Sequence, residues 1–127
     1  MTALLDVVMG NKIMIFDDDE AILDVLQLVL SGAGYDVKVS NTSNQVIAEV
    51  ANFLPNLILM DHQIPSIGGT EAVKLLREHD QFQNIPVLYI SASNDIKNYK
   101  EDSGVNGYIK KPFDIEYLEK KIACYFV

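Results

Sequence analysis

The stretch Leu57-Ile58-Leu59-Met60-Asp61 constrains the fold most, because four consecutive apolar residues end on a carboxylate and run into His62-Gln63-Ile64-Pro65 and Gly68-Gly69. An unbroken apolar run of this length reads as a strand buried on both faces, as in parallel sheets, whereas a half-exposed strand alternates. Asp61 then stands where the strand stops, at the rim of the sheet, which is where open α/β folds bind ligands. It is the first candidate for chemistry, set against the plainer reading that an aspartate opens the loop by capping backbone N–H groups.

The same grammar recurs along the chain. Lys12-Ile13-Met14-Ile15-Phe16 is a short apolar run that stops at Asp17-Asp18-Asp19-Glu20. Ile22, Val25, Leu26, Val29 and Leu30 follow at helical spacing until Gly32 and Gly34, which predicts a first helix. A short edge-like strand is expected over 35–40, and Val46, Ile47 and Val50 mark a helix that must finish before Pro55. After the strand ending in Asp61, Thr70 is placed to cap a helix carrying Ala72, Val73 and Leu76. Val87-Leu88-Tyr89-Ile90 is the fourth strand, closed by Ser91-Ala92-Ser93. Residues 94–103 are polar with only Ile96 and Tyr99 to pack, so a weakly held helix is expected there. Gly107-Tyr108-Ile109-Lys110 is the fifth strand, broken by Lys111-Pro112. Asp114 opens a last helix with Ile115, Leu118 and Ile122 inward and a Glu116–Lys120 pair outward.

Five strands alternating with five helices predict one doubly wound (βα)5 domain with a parallel five-stranded sheet of order 2-1-3-4-5. The length of 127 residues suits a single core. In that order the carboxyl ends of strands one, three, four and five share a rim, bringing Asp17, Asp18, Asp61, Ser91 and Lys111 together. Three carboxylates within a few Å repel, which raises a pKa or calls for a cation. A hard divalent ion such as Mg2+ suits this all-oxygen set, with Asp18 and Asp61 as direct ligands. Zinc does not, since His62, His79 and Cys124 are scattered without ligand spacing. His62 follows a strand end and so points away from Asp61, which gives it a surface role. With the metal in place, Asp61 becomes a nucleophile able to form an acyl phosphate, Lys111 and Ser91 each pairing with a phosphoryl oxygen.

Ten basic and eighteen acidic residues give a formal charge of −8, which disfavours direct contact with nucleic acid or an anionic membrane. The single cysteine, Cys124, sits in a C-terminal apolar pattern and reads as a small core residue, consistent with a reducing, cytoplasmic setting. Residues 1–11 read as an N-terminal tail ahead of a domain over 12–127, since the first eight residues carry Asp6, lack a basic leader and are too short to span a bilayer.

From about residue 12 to residue 122 the chain resembles the receiver domain of two-component response regulators, a flavodoxin-like fold. The resemblance rests on Asp17-Asp18, Asp61 with Pro65 and Gly69 behind it, Ser91-Ala92, Tyr108 and Lys111-Pro112-Phe113. It implies that Asp61 receives a phosphoryl group from a histidine kinase or phosphotransfer protein, with Mg2+ held by Asp17, Asp18, Asp61 and the backbone carbonyl of Gln63. It also implies a switch carried by Ser91 and Tyr108, and a cis peptide at Lys111-Pro112. An output partner would dock on the helix over 94–103, the fifth strand and the last helix. Such a protein is no general enzyme and catalyses only its own aspartyl phosphorylation and dephosphorylation. Ser91 stands where the family more often has Thr, and Gly68 replaces a frequent Asp.

Two other readings compete. Asp17 and Asp19 form an Asp-x-Asp after the first strand, the nucleophile and acid of a haloacid-dehalogenase-type phosphatase, although the Thr/Val-Gly continuation and a cap domain are missing. A degenerate receiver that only binds proteins is the other. The chain ends at Tyr125-Phe126-Val127, which fits either a free-standing regulator or a receiver excised from a larger protein.

Overall fold

The computed structural model describes residues 10–92 and 104–126, so the helix expected over 94–103 and the first nine residues of the expected tail lie outside the described residues. Strands β1 (Lys12–Phe16), β2 (Asp36–Ser40), β3 (Leu57–Asp61), β4 (Val87–Ser91) and β5 (Gly107–Lys110) form one parallel sheet in the order β2-β1-β3-β4-β5. Helices α1 (Glu20–Gly32), α2 (Val46–Phe53), α3 (Gly69–Arg77) and α4 (Ile115–Ala123), with a 3-10 turn at Asp80–Phe82, complete the described elements. None of the described helices is long and apolar enough to cross a membrane.

Side chains alternate across a strand, and the central strands use both faces. Met14, Phe16, Ile58, Met60, Val87 and Tyr89 join α2 and α3 in one core, while Ile13, Ile15, Leu57, Leu59, Leu88, Ile90 and Ile109 join α1 and α4 in the other. This double coverage is why the strands read as unbroken apolar runs. Asp19 caps α1, its Oδ1 accepting from Ala21 N at 3.0 Å and Ile22 N at 3.3 Å. Asp114 caps α4 by accepting from Glu116 N at 2.8 Å, as expected from the sequence.

Arg77, at the end of α3, holds the chain where it re-enters the sheet. Its Nε and Nη2 donate to the Gly104 carbonyl at 2.9 and 2.6 Å, and its Nη1 donates to the Phe82 carbonyl at 2.8 Å. Burial lowers the pKa of this guanidinium, and carbonyl dipoles compensate for the desolvation.

Three local expectations are corrected. In α1 the buried stripe is Leu23, Leu26 and Leu30, while Ile22 and Val29 are half-buried and Val25 is 46% exposed. Residues 22, 25 and 29 have the same helical spacing as 23, 26 and 30, so periodicity alone could not choose between adjacent stripes. Thr70 does not cap α3: the helix begins one residue earlier, with Gly68 at the N-cap and no side-chain capping bond. Cys124 is exposed just beyond α4, its Sγ 3.4 Å from the Lys120 carbonyl, and Tyr125 and Phe126 are the half-buried residues instead.

The stripe assignment is open to measurement. Leu26→Ala should cost about 2–5 kcal/mol of unfolding free energy in urea titrations, whereas Leu28→Ala, at a position 77% exposed, should change it by no more than about 0.5 kcal/mol. Comparable losses for the two would contradict this packing.

Candidate functional site

Parallel pairing places the carboxyl ends of β1, β3, β4 and β5 on one rim. Asp17 follows β1 and is fully buried; its Oδ1 accepts from Asp19 N at 2.9 Å and its Oδ2 lies 2.7 Å from Lys111 Nζ. Asp61, the last residue of β3, is 5% exposed; its Oδ1 accepts from Gln63 N at 3.1 Å and its Oδ2 lies 3.9 Å from the same Lys111 Nζ. Asp18 is exposed beside them, and Asp17, Asp18 and Asp61 each place a carboxylate oxygen within 4.8 Å of the others. Lys111 is steered there by its own backbone, whose N–H donates to the Ser91 carbonyl at 2.8 Å, ahead of a cis Lys111-Pro112 bond.

One ammonium therefore faces three carboxylates. Burial is the main force raising the Asp61 pKa to about 6, Asp17 and Asp18 push the same way, and the Gln63 N–H and Lys111 pull against them. A site of clustered anionic oxygens, part buried and part open at Asp18, is chemically suited to a hard divalent cation. Among the described residues this cluster holds no nitrogen or sulfur donor, so the donor set excludes a zinc-type preference.

Ser91 ends β4 one residue beyond Ile90, which is in register with Asp61, and is fully buried. Tyr108 is in register with Tyr89 on β5, half-buried, with Lys121 Nζ 5.8 Å from its ring. Asp19, which the phosphatase reading needs as an acid, is outside the cluster and committed to capping α1.

Other features of the site were not read from the sequence. A Cβ on Gly69 would sit 2.6 Å from the Asp61 carbonyl oxygen and 2.8 Å from His62 Cα, so only glycine lets α3 begin against the Asp61–His62 backbone. Gly68 precedes it at φ 83° and ψ 161°, a region reserved for glycine. The Gly68-Gly69 pair was the available signal. His62 is not a surface residue: it is half-buried, its ring edge-on to Tyr89 with centroids 4.8 Å apart and its Nε2 3.3 Å from Thr70 Oγ1. The alternation argument placed it away from Asp61 but could not show that Tyr89 waited on that side.

Residues 13–123 match the family model of the response regulator receiver domain. The chain belongs to this family. The receiver is 35% identical over 115 residues to the DNA-binding dual master transcriptional regulator RpaA of Synechocystis sp., covering 87% of this chain and 47% of that protein. It is 31% identical over 118 residues to the CAI-1 autoinducer sensor kinase/phosphatase CqsS of Vibrio cholerae, covering 91% of this chain and 17% of that one. Thus it spans less than half the length of either relative. Among solved structures, the chemotaxis response regulator CheY4 of Vibrio cholerae superimposes with a TM-score of 0.84 at 25% identity, over 91% of this chain and 98% of that one. The expected fold and the expected family are both met; a phosphatase is not favoured, and neither is a degenerate receiver, since the acidic cluster is complete.

The raised Asp61 pKa has a sign. The folded receiver holds that proton more tightly than the unfolded chain, so its contribution to stability is full below pH about 4 and is lost as pH rises through about 6. In metal-free buffer at pH 7, Asp61→Asn should raise unfolding free energy by about 2 kcal/mol, and the gain should vanish toward pH 4. Thermal melts of both proteins across that range check this; a gain independent of pH would remove the carboxylate as its cause.

Proposed function

We propose that Asp61 is the phosphoryl acceptor of this receiver and that a phosphohistidine on a histidine kinase or phosphotransfer protein is the donor. The observation that carries the reading is the meeting of Asp17, Asp18 and Asp61 within 4.8 Å at strand ends, with Lys111 Nζ reaching both buried carboxylates. In the transfer, an Asp61 oxygen forms the new O–P bond as the N–P bond breaks, and the imidazole leaves with the electron pair. Mg2+ held by Asp17, Asp18, Asp61 and the Gln63 backbone carbonyl would supply neutralisation of the phosphoryl charge. Lys111 is near enough to exchange an Asp61 oxygen for a phosphoryl oxygen, and the Ser91 hydroxyl is assigned a second. The receiver then catalyses only its own phosphorylation and dephosphorylation.

Output follows from the same residues. A dianion on Asp61 draws the Ser91 hydroxyl inward, and the half-buried Tyr108 ring moves into the space released, altering a docking face on β5 and α4. One charge-assisted hydrogen bond, worth about 1.5–3 kcal/mol, is enough to bias such a two-state element. RpaA and CqsS carry DNA-binding and kinase/phosphatase names, and the switched face of this chain acts by docking on its output partner. The action is assigned to the cytoplasm, where phosphohistidine donors are made.

Incubation with acetyl phosphate and Mg2+ should add one phosphoryl mass to the wild type and none to Asp61→Asn. Labelling that survives in Asp61→Asn but disappears in Asp17→Asn would instead promote the phosphatase. Asp18→Ala should abolish Mg2+ binding while metal-free thermal stability holds or rises, because it deletes a ligand and a like charge together; a clear loss of metal-free stability would make Asp18 structural. For the switch, beryllofluoride should change amide-exchange protection across β5 and α4 in wild type but not in Ser91→Ala. Identical changes in both would remove the hydroxyl from the pathway.

A further inference from the structure

The loop that follows Asp61 is gripped by a residue with no assigned role. His62 N donates to the Ile90 carbonyl at 3.0 Å, and the His62 carbonyl accepts from Gly69 N at 3.2 Å, so the backbone of this residue joins β4 to the first residue of α3. Its side chain repeats the connection. The imidazole Nε2 lies 3.3 Å from Thr70 Oγ1 in α3, the Tyr89 hydroxyl of β4 donates to the same Thr70 oxygen at 3.4 Å, and the His62 ring stands edge-on to the Tyr89 ring. A hydroxyl both accepts and donates, so Thr70 can take the Tyr89 proton while directing its own at His62. Two elements, β4 and α3, close on the residue between Asp61 and Gln63, and Tyr89 is two residues before Ser91 on its strand.

We propose that His62, Thr70 and Tyr89 form a clamp that positions the Asp61–Gln63 backbone for cation binding and phosphoryl acceptance, with His62 as its positioning residue. This rests on the reading of Asp61 as acceptor. The clamp acts on geometry alone: the Gln63 N–H that donates to Asp61 shares its peptide plane with the His62 carbonyl held by Gly69, and the Gln63 carbonyl assigned toward the ion lies on the very next peptide. Gly69 adds the steric half of the same device, since α3 rests directly on the Asp61–His62 backbone. None of the three clamp side chains needs to touch the ion or the phosphoryl group.

The test uses conservative variants of the full chain: His62→Phe, Thr70→Val and Tyr89→Phe remove hydrogen-bonding atoms while keeping bulk, and Thr70→Ser keeps the hydroxyl. Calorimetric titration with Mg2+ should show affinity about tenfold weaker in His62→Phe and in Thr70→Val, the range for partners that orient ligands. The double variant should be no weaker than either alone, because one contact has been removed from both ends. Thr70→Ser should bind as wild type does. In metal-free protein, amide exchange should quicken over 62–69 in Thr70→Val while the melting temperature holds. Unchanged Mg2+ affinity and loop protection in Thr70→Val, or a loss that follows melting temperature and is not rescued in Thr70→Ser, overturns the clamp. A wild type that binds no Mg2+ and takes no phosphoryl group overturns the acceptor reading itself, and the clamp's role falls with it.

Discussion

Everything at the rim turns on a shortfall of positive charge. Lys111 Nζ sits 2.7 Å from Asp17 and 3.9 Å from Asp61, and one ammonium cannot neutralise three carboxylates drawn this close. Burial first, and then the neighbouring carboxylates, raise the Asp61 pKa to about 6 even after Lys111 and the Gln63 N–H have acted. The fold tolerates the strain because β1 and β3 are anchored by two apolar cores, and the instability is what makes an added cation favourable. Local electrostatic destabilisation and readiness to bind are the same physical fact.

Placement of these groups depends on backbone contacts more than on side-chain preference. Lys111 is tied to the end of β4, Asp17 donates its own N–H to the Ser40 carbonyl at 3.1 Å, and the loop after Asp61 is pressed against α3 at Gly69. Asp17, Asp61, Ser91 and Lys111 thus inherit their positions from the strands they end or directly follow. A site built this way loses little entropy on binding, since its geometry exists beforehand.

The fold was largely legible in the sequence because both signals it needs are local. Short apolar runs at even spacing and helical periodicity between them leave few topologies once crossovers are right-handed. The rim residues were legible for a related reason: Asp17, Asp61, Ser91 and Lys111 each interrupt or follow an apolar run, and a polar residue there must face the sheet's edge. Where the reading failed, two local answers were equally good. In α1 two adjacent stripes carry apolar residues, and at the start of α3 both Thr70 and the glycine pair offered a beginning. Cys124 had an apolar pattern around it but lay one residue past the last turn of α4.

The sequence by itself determined the alternation of elements, the strand ends and the kinds of group presented there, since these follow from hydrophobic periodicity and backbone preference within a few residues. Only the tertiary structure decided which stripe of α1 is buried, that Lys111 lies closer to Asp17 than to Asp61, and that His62 turns onto Tyr89 and Thr70. Those outcomes are contests between partners distant in sequence. They are settled by the register of β3 on β4, the close approach of α3 and the desolvation of particular carboxylates, none of which a local pattern encodes.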